Sequence, residues 1–442
     1  MTDMWNPALE TLPRERLRAL QLRKFREQCE HVYEHSGFYR RKFDDAGVHP
    51  TDIDSFEAVR DVPMTTKADL REAQGRDPFP YGDLLADDPV TVTEYHQTSG
   101  TTGEAVRQAD SWADWEWWGE TWATVLWAQG IRPDDRVFFP FSYNVFVAFW
   151  AAHYACERIG AEVVPGGNLS SAQRIRTMDE LDVTAFMGTP TYALRLAEVA
   201  REEGVDPSSM AVDRIVCAGE PGASIPATKA RIEAEWGATV FDHAGATEAG
   251  AWGFAAEGVD ELGLFINEAF FLAEVLGEDG EPVAGGERGE LVITPLDRRA
   301  QPYVRFRLRD LVEVVPSPGP ERTFRFAKGG ILGRTDDLTK VNGVLLSPTT
   351  IEDVVRAFEP VTDEYRVLIE EHPEKDIDSI TVVVEADPRV GAGPDAIRDG
   401  LRQKLKHRIN LTADIDIRDD QALDRPELKA DRVTDTRPDR RR

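Results

Sequence analysis

Cysteine is scarce in this 442-residue chain: Cys29, Cys156 and Cys217 are odd in number, widely spaced and unaccompanied by a CxxC or a Cys/His cluster. That argues against a disulfide framework and against structural zinc. No run of about eighteen apolar residues occurs, and the N-terminus "MTDMWNPALETLPRERLRAL" carries charges where a signal peptide needs an apolar core. A soluble, cytoplasmic protein is expected. Lysine is sparse as well, ten against 42 arginines, and 80 acidic residues bring the net charge to −28. Nucleic acid and anionic membranes are poor partners for such a surface. The acidic surplus fits either adaptation to high salt or an arginine-favouring genome with an ordinary acidic surface. Nothing spells GxxxxGK[ST], no GxGxxG stands between a clear strand and a helix, and there is no internal repeat or low-complexity tract. The basic tail "RPDRRR" is short and terminal and is assigned no function.

What is present is enough apolar material for real cores: 41% hydrophobic residues, with ten Trp and twenty Phe. The length suits a large domain plus a smaller one. The first ninety residues read as helices joined by polar turns. After residue 95, short apolar runs such as "RVFFPF", "AEVVP", "VTAFMGTP", "RIVCAGE" and "ATVFDHAG" alternate with helical stretches, which argues for parallel sheets covered by helices. From about residue 256 strands dominate, and roughly 337 to 436 alternates strands and helices as a compact α+β piece. The expected fold is α/β. A large N-terminal domain (1–335) carries helix-covered sheets and a β subdomain; a small α+β domain (336–442) follows. Within "SWADWEWWGETWATVLW", Trp115, Trp118 and Trp122 share one helical face, expected to be buried in the core or an interface.

The stretch "YHQTSGTTGEAV" (95–106) is nearly all hydroxyls and bare backbone. Glycines let successive N–H groups converge on an anion without Cβ obstruction, and Ser99, Thr101 and Thr102 add hydroxyl donors. On its own it reads more readily as an ordinary polar turn. It has company, however: "HAGATEAG", "RFRLRDLVEV", "GRTDDLTKVNG" and "LKADRV" follow in order downstream. Together these resemble the core motifs of the adenylate-forming ligases. "VPMTTKADLR" at 62–71, "AAHYACERIGAEVVPGGN" at 151–168, "GTPTYAL" at 188–194, "AGEP" at 218–221 and a His three residues before the loop serine narrow the resemblance to the phenylacetate–coenzyme A ligase branch. It covers about residues 57 to 436.

The resemblance implies a site. Thr98, Ser99, Gly100, Thr101, Thr102 and Gly103 match a phosphate loop, Thr247 a hydroxyl donor to the α-phosphate, and Glu248 a Mg²⁺ carboxylate. Gly219, Glu220 and Pro221, with Asp242, His243 and Ala244, match the adenine-binding segments. Asp310 matches an acceptor for both ribose hydroxyls, and Arg334 an arginine reaching ribose or phosphate. Asp336 matches the hinge about which a mobile C-terminal lid turns. Lys429 matches a lysine contacting the reacting carboxylate and the α-phosphate; Lys340 and Gly343 lie where a thiol enters. Tyr143, Phe146, Gly188 and Ala244 match the wall of the acid pocket, although Tyr143 and Phe146 read equally as core residues. Three departures stand out: Ala244 replaces an aromatic that stacks on adenine, Glu104-Ala105 replaces Lys-Pro after the loop, with Arg107 as a candidate compensator, and Leu428-Lys429 replaces Gly-Lys.

The activity so implied is ATP- and Mg²⁺-dependent conversion of a small aromatic carboxylic acid to an acyl-adenylate and pyrophosphate, then transfer to coenzyme A with loss of AMP. A carrier-protein phosphopantetheine or an amine is an alternative acceptor. A nucleotide-binding protein without turnover is an alternative of another class. The acid, and whether the chain forms a homodimer, are left open.

Overall fold

A computed structural model describes residues 4–98, 104–336, 339–341, 344–371, 378–409, 411–425 and 432–437, with the main chain alone at 340 and 345. The chain divides into two compact units, Met1–Leu169 with Val183–Met187 and Phe241–Ile331, and Ser170–Asp182 with Gly188–Val240 and Leu332–Arg442.

In the first unit, the N-terminal helices Arg14–His35 and Gly37–Ala46 pack around Phe25, Tyr39 and Phe43, all but excluded from solvent. Helix Lys67–Gln74 starts at a reciprocal cap in which Thr66 and Asp69 satisfy each other's backbone N–H. A parallel ladder joins Arg136–Phe139 to Glu162–Pro165 and to Ala185–Gly188. The runs Arg136–Phe139 and Ala185–Gly188 are short, apolar and largely buried, as strands covered on both faces require, while Glu162–Pro165 is more exposed. An antiparallel succession then runs Phe271–Leu276, Arg288–Pro295, Phe306–Val315, Phe326–Lys328, Gly263–Ile266, Gly250–Phe254 and Thr239–Ala246. The expected α/β class and the strand-rich stretch after residue 256 are both present.

On helix Trp112–Ala128 the expected face of Trp115, Trp118 and Trp122 is buried, and the burial extends beyond it: 13 of the 17 residues are buried, Trp117 among them. The helix is enclosed nearly all round, with Trp117 against Phe271 and Trp122 against His243; a helix so enclosed loses the polar face that periodicity looks for.

In the second unit, Val361–Glu371 and Asp378–Ala386 pair antiparallel and are flanked in parallel by Val433–Asp435 and Asp414–Arg418. Helices Pro348–Arg356 and Pro394–Ile409 cover this sheet through Ile351, Val355, Leu401 and Leu405. The same unit holds helices Pro190–Glu202 and Pro226–Trp236. The three cysteines are buried and form no disulfide.

Candidate active site

The hydroxyl-rich loop connects two antiparallel strands, Val92–Gln97 and Arg107–Ser111, paired from Gln97 opposite Arg107 down to Val92 opposite Ser111. Thr98 closes its base: its N–H donates to the Val106 carbonyl and its hydroxyl accepts from the Val106 N–H, each at 3.0 Å. Its hydroxyl oxygen is thus committed to holding the hairpin, a local role that the motif did not reveal. Ser99, Gly100, Thr101, Thr102 and Gly103 lie outside the described residues.

The leg leaving the loop is anchored by helix Lys67–Gln74. Arg71 donates to the Glu104 carbonyl at 2.7 Å, and the Gln74 amide bonds the Ala105 carbonyl and the Arg107 N–H. Glu104, the acid that replaces the usual lysine, is paired with Arg107 at 3.0 Å. Its charge is therefore compensated by the arginine the sequence nominated, at a partly exposed position where such a pair is weak.

Strand Thr239–Ala246 carries Asp242, His243 and Ala244 and runs into a turn holding Thr247 and Glu248. Ala244 is buried opposite Gly253, whose missing side chain leaves it space. His243 is buried against the Trp122 ring at 4.0 Å. Burial drives its imidazole down to about 3, opposed only by a hydrogen bond to the Gly253 backbone, so it is neutral throughout the physiological range. Glu248 is buried, and its Oε1 accepts no hydrogen bond among the described residues. The Lys67 ammonium stands 3.1 Å from that oxygen, a charge contact off the hydrogen-bond direction. Sequence reasoning gave Lys67 no role. A signal was available: a cation in the first turn of a helix opposes the helix dipole and has to be held there by something else.

Asp310 owes its setting to a backbone irregularity. Between the pairs Glu290 to Leu311 and Val292 to Arg307 the register shifts, and Arg309 sits at φ +69°. Such bulges re-aim the neighbouring side chain. Asp310 itself is buried. Arg305 and Arg307 of the same motif are structural: each makes a two-pronged pair, with Glu274 and Glu290 respectively.

Of the residues matched to an acid-pocket wall, Tyr143 bonds His153 Nδ1 at 2.9 Å and stands edge-on to Trp150, while Phe146 is 42% exposed. Burial raises the Tyr143 phenol above its usual value, so it acts as a neutral group. Phe146 is not a core residue.

The second unit holds the remaining candidates. Gly219, at φ +90°, makes the turn after strand Arg214–Cys217. The next residue, Glu220, accepts from the Thr191 N–H at 2.9 Å and so caps helix Pro190–Glu202. Pro221 is exposed, and Gly188 accepts from the Ala218 N–H through its carbonyl. Arg334 and Asp336 form a two-pronged ion pair at 2.9 and 3.0 Å. The main chain of Lys340 lies in the hairpin Thr339–Val341 with Val344–Leu346. Gly343 and Lys429 lie outside the described residues.

The strands flanking the hydroxyl-rich loop, the Thr247–Glu248 turn and the bulged Asp310 all lie within one unit, at the positions where the resemblance to adenylate-forming ligases implies nucleotide contacts. Family models agree: "AMP-binding enzyme" matches residues 47–295 and "AMP-binding enzyme C-terminal domain" residues 343–437. The chain belongs to the AMP-binding enzyme family. Among curated relatives it is 32% identical over 438 residues to phenylacetate-coenzyme A ligase of Aromatoleum evansii, covering 97% of each chain. It is 33% identical over 436 residues to the same-named enzyme of Escherichia coli K12, again covering 97% of each. Among solved structures, 2-hydroxyisobutyryl-CoA ligase in its postadenylation state with 2-HIB-AMP matches at 31% identity and a TM-score of 0.92, over 98% of this chain and 92% of that one.

Proposed function

We propose that this member of the AMP-binding enzyme family activates a small, aromatic carboxylic acid with ATP, releasing pyrophosphate, and passes the acyl group from the acyl-adenylate to coenzyme A, releasing AMP. The observation that carries this is the Thr247–Glu248 turn. It offers a hydroxyl and a buried carboxylate oxygen that accepts no hydrogen bond among the described residues and faces only the charge of the Lys67 ammonium at 3.1 Å, in the same unit as the hydroxyl-rich hairpin. Two anions, carboxylate and triphosphate, must meet for the first step, so every catalytic group has to neutralise charge or fix position.

Glu248 is the residue that would hold Mg²⁺. Among the described residues no three His, Cys, Asp or Glu side chains gather as a metal cage. One carboxylate is what a magnesium ion carried in on phosphates requires. The ion supplies charge neutralisation at the phosphates when bound. Thr247 donates to the α-phosphate, Asp310 accepts from the ribose hydroxyls, and Lys429 neutralises the carboxylate as it attacks the α-phosphorus. Attack there converts the acid oxygen into a good leaving group. Turning about Asp336 then brings Lys340 and Gly343 to the path of the incoming thiol, which displaces AMP. Ala244 in place of a stacking aromatic means that adenine packs differently here.

An aromatic acid is favoured by the Tyr143, Phe146 and Trp150 wall, whose rings stay partly exposed. The named relatives act on phenylacetate and 2-hydroxyisobutyrate, both small acids. The test is steady-state pyrophosphate release across benzoic, phenylacetic, substituted aryl and short hydroxy acids, with coenzyme A present. Turnover greatest with an aryl acid supports the reading; turnover greatest with a short hydroxy acid overturns its aromatic part. No release with any acid overturns the whole.

A further inference from the structure

Residues 298–301, in the sequence "RRAQ", have no part in the chemistry assigned above, yet they are stitched residue by residue to the strand that leaves the hydroxyl-rich loop and to the helix that follows it. The Gln301 amide donates to the Arg107 carbonyl at 2.8 Å and accepts from the Ala109 N–H at 3.1 Å. The Arg299 and Ala300 N–H groups both donate to Asp114, which also caps helix Trp112–Ala128. Arg298 goes further. It is fully buried, as is Asp110, and the two are ion-paired. Its guanidinium carbon lies over the rings of Trp117 and Trp118 at 5.6 and 5.4 Å. A second prong of its fork donates to the Glu248 carbonyl at 3.2 Å. Only a planar, rigid fork makes both contacts from one buried position.

Asp110 has a further neighbour. His96, on the strand entering the loop, stands 3.9 Å away through Nδ1 and stacks on Trp115. Arg298 thus ties the carbonyl of the turn's carboxylate residue to a carboxylate flanked by both strands of the hairpin.

We propose that Arg298 is a positioning residue for nucleotide activation: by bridging Asp110 and the Glu248 carbonyl it sets the Thr247–Glu248 turn relative to the strands that flank the hydroxyl-rich loop. The inference rests on the adenylation reading for its purpose, and on buried contacts within one unit for its geometry. A displacement of a reacting group by about an ångström costs on the order of a hundredfold in rate, so a tether of this kind matters out of proportion to its stability.

Arg298→Lys keeps a cation beside Asp110 but removes the fork. The measurements are calorimetric titration with ATP in magnesium chloride and again in EDTA, the pyrophosphate-forming rate, thiolysis of supplied acyl-adenylate by coenzyme A, and the thermal midpoint. The expected result is ATP affinity at least fivefold weaker with magnesium but little changed in EDTA. The pyrophosphate-forming rate falls about tenfold or more, while thiolysis and thermal midpoint stay close to wild type. If Arg298→Lys does not fold, the charge-neutral pair Asp110→Asn with Arg298→Gln takes its place with the same expected split. Indistinguishable binding and rates, a parallel loss of every readout with stability, or failure of both variants to fold would each overturn the proposal. Wild-type protein that binds magnesium–ATP but releases no pyrophosphate would remove the ligase reading alone, because the affinities still decide the tether.

Discussion

Acidification from about pH 7 to about pH 5 should expose the cost of burying His243. Its ring is enclosed beside Trp122 and its pKa falls from 6.5 to about 3 in the folded chain. A base depressed in this way is neutral when folded and is protonated first when unfolded. Its contribution is therefore fully present above about pH 6.5 and is lost as the pH falls toward about 3. At about 1.4 kcal/mol per pH unit, the interval from pH 6.5 to pH 5 removes about 2 kcal/mol of stability through this residue. Asp110 and Glu268 lose stability in the same direction. Burial raises both carboxyls, but Arg298 and His96 at the first, and Arg325 and Arg14 at the second, outweigh it and hold them low. Those contributions are common to wild type and to His243→Gln, which keeps a donor for the Gly253 carbonyl without titrating. Urea unfolding of both proteins at the two pH values isolates the difference. Wild type should lose about 2 kcal/mol more than the variant. Equal losses would refute the claim that His243 is held neutral by burial.

Other outcomes follow from particular contacts. Lys429→Ala should slow pyrophosphate formation about a hundredfold or more while sparing thiolysis of preformed acyl-adenylate, and an equal loss in both steps would show a structural role. Arg356 is buried beside Glu352 at 2.8 Å, and its guanidinium donates to Thr228. Arg356→Met strands the carboxylate and should cost about 3–5 kcal/mol in urea unfolding; adding Glu352→Gln should restore much of it. Arg309→Val forces a β-branched side chain into the left-handed region at φ +69° and should cost about 1–2 kcal/mol, whereas Arg309→Gly should be close to neutral. Similar midpoints for the two Arg309 variants would contradict the strained bulge before Asp310.

Much of the fold could be read from the sequence because its signals are local. "RVFFPF" and "RIVCAGE" are short apolar runs between turns, and they form strands Arg136–Phe139 and Arg214–Cys217. The Thr247–Glu248 turn and Asp310 were legible only through the order of several motifs, since Thr-Glu alone reads as a helix cap. What escaped depends on distance along the chain. Arg298 meets Asp110 across 188 residues, with no spacing rule to announce it. Lys67 reaches Glu248 from "VPMTTKADLR", a stretch that marks the resemblance without giving its lysine a role. Thr98 and Glu220, each in a stretch that the resemblance assigns to nucleotide, also serve the fold: one closes a hairpin and the other caps a helix. Hydroxyls and carboxylates serve backbone N–H groups as readily as they serve ligands.

The most direct test of the central claim is a single-turnover chase. Enzyme, an aryl acid and magnesium–ATP are mixed without thiol, and the bound products are quantified before and after coenzyme A is added. The account predicts one equivalent of acyl-adenylate and pyrophosphate first, then conversion of that adenylate to acyl-coenzyme A and AMP at a rate no slower than steady turnover. An adenylate that coenzyme A leaves intact would contradict the proposed acceptor, and the absence of any adenylate would contradict the activation step itself.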